Sequence, residues 1–71
     1  MDIQDVLARN LRRLRAERGL TQEQLADKAG LSERYIGSIE RATVKARITV
    51  VDQIAKGLGI DPGDLLRRNT P

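Results

Sequence analysis

The side chains able to do chemistry in this 71-residue chain are almost all charged: 13 Lys and Arg against 10 Asp and Glu, with no histidine and no cysteine. Histidine is the usual general base near neutral pH and a common metal ligand, and thiolate is a strong nucleophile and zinc ligand. With both absent, and no carboxylates clustered on an inward face, no nucleophile–base pair can be assembled. No disulfide framework exists, and no metal or cofactor site is expected. The chain reads as a binding protein with no small-molecule substrate. A net charge of +3 and a pI of about 10.0 point toward a polyanion. The distribution tempers that hint. Residues 1–20 carry Arg9, Arg12, Arg13, Arg15 and Arg18 against Asp2, Asp5 and Glu17, a local +2. Residues 21–41 carry Lys28, Arg34 and Arg41 against Glu23, Asp27, Glu33 and Glu40, a local −1. Residues 42–58 return to +2 and the tail is neutral. Positive charge thus flanks the central segment, and charge alone leaves nucleic acid and a merely solvated surface both open.

The elements that must position these charges follow from pattern. A domain of this size buries only roughly 60% of its unfolded surface, so it must be compact or gain stability from a partner subunit. Aromatics are 1% of the chain, the single Tyr35, so Leu, Ile, Val and Ala must fill the core. No apolar run approaches the ~18 residues of a membrane span, and the N-terminus lacks a signal-peptide pattern. A soluble cytoplasmic protein without a membrane partner is expected.

Ile3, Leu7, Leu11 and Leu14 recur at helical spacing and predict a first helix from Ile3 to Arg18, stopped by Gly19. Thr21 with Gln24 forms a capping-box signature, so a second helix runs from Gln22 to Ala29 and ends at Gly30. Ser32 caps a third helix, Glu33 to about Arg41, with Ile36 and Ile39 inward. Only Gly30 and Leu31 separate that cap from the second helix, which forces a steep crossing. A polar, basic loop over 42–47 precedes a fourth helix with Ile48, Val51, Ile54, Ala55 and Leu58 on one face, ended by Gly59. Asp61 and Pro62 start a short fifth helix reaching about Arg68. The fold class is all-α, with one domain over residues 1–68 and a frayed tail over 69–71.

Residues 22–41 read QEQLADKAGLSERYIGSIER, with small Ala26 where two helices cross and Gly30 where the turn needs a positive φ. Together with LRRLRAERGLTQEQLA before it and IAKGLGIDPGDLL after it, this resembles the helix-turn-helix of the lambda repressor and Cro-like (XRE-type) family across residues 7–66. The resemblance implies a compact five-helix domain whose third helix enters the major groove of double-stranded DNA. The base-reading residues it implies are Ser32, Glu33, Arg34 and Ser38. Arg34 can donate two hydrogen bonds to a guanine and Glu33 can accept from cytosine. The plainer alternative is a solvated Arg34 and a Glu33 that only favours its helix end. By resemblance Gln22 is a phosphate ligand. Thr21 joins it at a helix N-terminus where free N–H groups favour an anion. Tyr35, Arg41, Thr43, Lys45 and Arg47 are further backbone-contact candidates. For Tyr35 a half-buried packing role stays open, and for Lys45 and Arg47 an ordinary solvated loop.

In the family, residues at the positions of Arg15 and Glu40 pair between the first and third helices, which takes both out of the DNA-contacting set. The other arginines of the first helix are read as solvated. Two departures stand out. Ala42 occupies a position usually held by Gly, so the end of the third helix is expected to be strained or rebuilt. Arg47 stands where Ser or Thr caps the fourth helix, and Thr49 with Asp52 offers a substitute cap. The family implies a homodimer on a palindromic operator, with Ile60, Leu65 and Leu66 as interface candidates or as a seal for the core. Short single-domain members, such as restriction-modification controller proteins, resemble the chain well. A phage-type repressor, an antitoxin subunit and a protein–protein module that retains the fold stay open.

Overall fold

A computed structural model describes residues 1–68, so the expected frayed tail lies outside the described residues. Five helices follow in order: α1 (Ile3–Glu17), α2 (Gln22–Ala29), α3 (Glu33–Glu40), α4 (Ile48–Leu58) and α5 (Pro62–Leu66). The described part contains no strand. Leu11, Leu25, Ile36, Ile39, Ile54 and Leu65 are all at most 1% exposed and form the centre of the core. α2 packs on α3 and α4, α1 on α3 and α5, and α4 on α5. Close-packed aliphatic chains on short helices thus replace the aromatic centre that the composition denies.

The helix ends carry most of the local instruction. The capping box of α2 forms fully, with Thr21 Oγ1 accepting from Gln24 N at 3.0 Å and Gln24 Oε1 accepting from Thr21 N at 2.9 Å. Gly30 takes φ +71°, and Leu31 N donates to Ala26 O at 2.9 Å. That left-handed turn swings the chain from α2 into the Ser32 cap of α3, whose Oγ accepts from Tyr35 N at 3.0 Å. α3 ends at Glu40 with Arg41 as its cap, one residue before the expected end.

Ala42 closes α3 in the left-handed region at φ +57° and is the only non-glycine with a positive φ among the described residues. Its N–H reaches Ile39 O and that of Thr43 reaches Ser38 O, a glycine-type helix end built on alanine. The expected strain is therefore present. A Cβ in this region costs roughly 1–2 kcal/mol, partly offset by the freer unfolded chain that glycine brings. Ala42→Gly is expected to stabilise the domain by about 1 kcal/mol, raising its melting temperature by roughly 4–8 °C. A lowered melting temperature would contradict this reading of the turn.

Four expectations are corrected. α4 begins at Ile48 with Arg47 as N-cap and no side-chain cap, so Thr49 lies inside the first turn and caps nothing. Asp52 instead pairs with Lys56 at 3.2 Å on the surface. Ile48 does not join the inward face; it is 80% exposed. α5 ends at Leu66 rather than Arg68, because Asn10, fully buried in α1, donates from Nδ2 to Leu65 O at 2.9 Å and Arg67 O at 2.8 Å. Leu65 is 0% exposed and belongs to the core, so it is unavailable to a dimer partner.

Candidate nucleic-acid interface

α3 presents two distinct faces. Ile36 and Ile39 are buried to 1% exposure or less and Glu40 to 4%, while Ser32, Glu33 and Arg34 are exposed and Ser38 is half-buried. The four expected base-reading residues therefore share the outward side. Their hydrogen-bonding capacity is narrower than their side chains suggest. Ser32 Oγ accepts the cap bond and keeps its own hydrogen to donate. Ser38 Oγ donates to Arg34 O at 3.1 Å, so toward a ligand it offers only an acceptor.

A buried ionic network sets the attitude of α3. Arg15 Nε donates to Glu40 Oε2 at 2.6 Å, and Arg15 Nη2 to Oε1 at 3.0 Å. Gln22 Nε2 donates to the same Oε1 at 3.0 Å. Arg15 Nη1 also donates to Leu20 O at 2.8 Å, tying the α1–α2 turn into the cluster. Its guanidinium pKa is raised above its ordinary value by the hydrogen bond to Glu40, with burial opposing and that carboxylate's charge adding. A raised pKa of this kind contributes stability below the unfolded value and loses it only above, so Arg15 adds no pH dependence in the physiological range. Glu40 is thus the joint on which α1, α2 and α3 meet.

The expected phosphate ligands divide. Thr21 is exposed at the start of α2 with its hydroxyl hydrogen free of the cap bond, and Gln22 lies half-buried beside it. Glu40 accepts one amide hydrogen of Gln22, which keeps a second hydrogen to donate. Lys45 and Arg47 are exposed in the loop. Tyr35 is half-buried and packs against the core, so its ring does structural work whatever its hydroxyl meets. Thr43 is different: its hydroxyl donates to Ser38 O at 3.0 Å and its N–H to the same carbonyl at 3.1 Å. Both of its donors close α3, which leaves none for a phosphate oxygen. Arg41 is exposed, but its guanidinium turns back along α3 to within 3.4 Å of Ser38 Oγ.

Residues 11–65, more than three-quarters of the chain, match the helix-turn-helix family. The chain belongs to that family. Among curated relatives it is 41% identical to control protein C.SmaI of Serratia marcescens, over 96% of this chain and 81% of that one. Among solved structures, the hypothetical transcription factor NHTF from Neisseria superposes with a TM-score of 0.90 at 33% identity, over 93% of this chain and 76% of that one. The restriction-modification controller protein C.AhdI from Aeromonas hydrophila gives 0.85 at 34% identity, over 87% and 90% of the two chains. The relatives of this chain include an HTH-type transcriptional regulator, control proteins and a phage immunity repressor, members of a non-enzymatic family. Among the described residues no helix is long and apolar enough to cross a membrane.

The helix-turn-helix domain uses its first helix more than residue type suggested. Arg12 Nη1 donates to Glu40 O at the end of α3, and Arg18 Nε donates to Leu58 O at the end of α4 at 2.8 Å. Both arginines, expected to be merely solvated, satisfy carbonyls that a helix C-terminus leaves without partners. Much of the positive charge of residues 1–20 therefore holds the domain together. Nothing in the spacing of Arg12, Arg18 or Asn10 announces these partners, which lie 28, 40 and 55–57 residues away.

Proposed function

We propose that this chain is a cytoplasmic, sequence-specific transcriptional regulator that binds a palindromic operator as a homodimer, each protomer laying α3 in the major groove. The observation that carries the reading is the division of α3: an apolar and ionic face locked to α1 and α2, and an outward row of Ser32, Glu33, Arg34 and Ser38. Arg34 donates to a guanine, Glu33 accepts from a cytosine, Ser32 donates and Ser38 accepts. Thr21, Gln22, Lys45, Arg47 and the Tyr35 hydroxyl flank this row and set its register on the phosphates. The similarity to control proteins C.SmaI and C.AhdI favours a restriction-modification controller as the regulatory setting.

One helix reads only a few base pairs, so useful specificity calls for two half-sites, about one DNA turn apart. The dimer face we infer centres on Ile48. This side chain stands 80% exposed at the start of α4, with Ile3 38% exposed nearby. Apolar grooves lie on both sides of it, each also lined by Val51 and Leu66. Ile60 is half-buried and packs against the core, as does Leu66, which is shared by both grooves.

Titrating duplex DNA against salt tests the reading. Each neutralised phosphate contributes a slope of about −0.9 in log affinity against log salt. Ile48→Asp introduces a charge into the exposed apolar face without opening the core, and is expected to yield a monomer by sedimentation. The monomer contacts half the phosphates, so its salt slope should fall to about half that of the parent. A flat response from the parent chain would remove DNA binding, and an unchanged dimer in Ile48→Asp would move the interface elsewhere.

A further inference from the structure

Arg41 does not lie where its place in the chain suggests. Its backbone caps α3 at the edge of the basic loop, a position suited to a phosphate. The guanidinium instead folds back over the helix. Nη2 is 3.4 Å from Ser38 Oγ, and Nη1 is 3.2 Å from the point where a Cβ on Gly37 would stand. Residues 37 and 38 lie about one turn before Arg41, so at 1.5 Å per residue the charge sits roughly 5 Å nearer the start of α3 than its own Cα.

Three features make this seat. Gly37 lacks a side chain, so the guanidinium can lie directly over its backbone, which is buried beneath Arg41 and Gln22. The amide of Gln22 is 3.7 Å from that same point and bounds the seat on the α2 side. Ser38 has given its only hydrogen to Arg34 O and so faces Arg41 as an acceptor. Residues 34, 38 and 41 are spaced four and three apart, which places them in one row on the helix surface. That row is on the side away from buried Ile36, Ile39 and Glu40.

We propose that Arg41 reads a base and does not hold a phosphate. From its seat it donates two parallel hydrogen bonds to O6 and N7 of a guanine, on a different base pair from the one met by Arg34. Of its five N–H donors one is occupied by Ser38, which orients the planar group and leaves a fork to present. This rests on the reading above that α3 enters the major groove. It places one guanidinium at the start of the row, on Arg34, and a second beside Ser38, from Arg41.

The test is to select bound duplexes from a random-sequence pool with the parent chain, Arg41→Ala and Arg41→Lys, then titrate each protein with the winning duplex and single-base variants. Arg41 is exposed and holds nothing in the core, so all three proteins should melt alike. The parent should yield a motif containing a guanine whose preference disappears in both variants while the rest of the motif stays. Both variants should bind the winner roughly 5- to 150-fold more weakly, the range for one good bidentate contact. Lys keeps the charge and lacks the fork. If Arg41→Lys retained the full motif while Arg41→Ala lost affinity uniformly, Arg41 would be a phosphate ligand and the proposal would fail. A parent chain that selected no motif at all would instead overturn the reading of α3, and this proposal with it.

Discussion

Replacing Glu40 by Ala is expected to remove about 3–5 kcal/mol of stability, because it leaves the Arg15 guanidinium without its carboxylate partner at a largely enclosed site. The Arg15 side chain is 21% exposed and that of Glu40 4%, so water screens the loss poorly. Gln22 Nε2 would lose its acceptor in the same step. Domains hold roughly 0.05–0.15 kcal/mol per residue, so this one charge removes a large part of the total. Arg15→Ala should cost a similar amount, since it strands the carboxylate instead. Replacing both by apolar residues of similar volume should cost less than either single change, because the penalty comes from the uncompensated charge. Urea unfolding followed by circular dichroism measures all three. Among the described residues, the exposed pairs Arg13–Glu17, Asp52–Lys56 and Asp64–Arg67 stand in contrast; each is worth at most about 1 kcal/mol. A Glu40→Ala loss of that small size would mean that the joint between the three helices is held by packing alone.

The second large effect separates two neighbours in α5. Leu65→Ala is expected to cost about 2–5 kcal/mol, the range for emptying a fully enclosed leucine site. Leu65 is 0% exposed, and its own carbonyl is held by Asn10 across the fold, so the site collapses poorly around a cavity. Leu66, only half-buried beside the Ile48 face, should lose far less stability when truncated, while the dimer should weaken. Comparing unfolding midpoints with sedimentation for the two variants resolves the roles. Equal destabilisation by both, with an unchanged dimer, would make Leu66 a second core residue.

Much of this was legible in the sequence because it is written in contacts between near neighbours. The capping box at Thr21 and Gln24, the Gly30 turn, the Ser32 cap and the inward pair Ile36 and Ile39 each need only residues within one or two turns. Pairing Arg15 with Glu40 could not be derived that way and came from family resemblance, as did the outward residues of α3. What remained hidden depends on distant backbone. Asn10 looks like an ordinary polar residue on a helix until the carbonyls of Leu65 and Arg67 arrive beside it. Arg12 and Arg18 look solvated until the ends of α3 and α4 meet them. Ile48 fits the apolar period of α4, yet at the helix's first position its side chain is left outside while Val50 and Val51 of the same turn are buried. Thr43 has the right type and place for a phosphate ligand, but the left-handed Ala42 before it turns both its donors onto Ser38 O.

The central claim is that α3 reads sequence while the flanking residues set affinity, and one comparison tests it most directly. Arg34→Ala and Lys45→Ala are each titrated with the selected duplex and with a full set of its single-base variants. Arg34→Ala should lose roughly 1–3 kcal/mol of discrimination at one base pair and bind all bases there about equally. Lys45→Ala should weaken every duplex by a similar factor and reduce the salt slope by about one phosphate. Uniform loss from both variants, with every base preference intact, would contradict the claim and make Arg34 one more phosphate ligand.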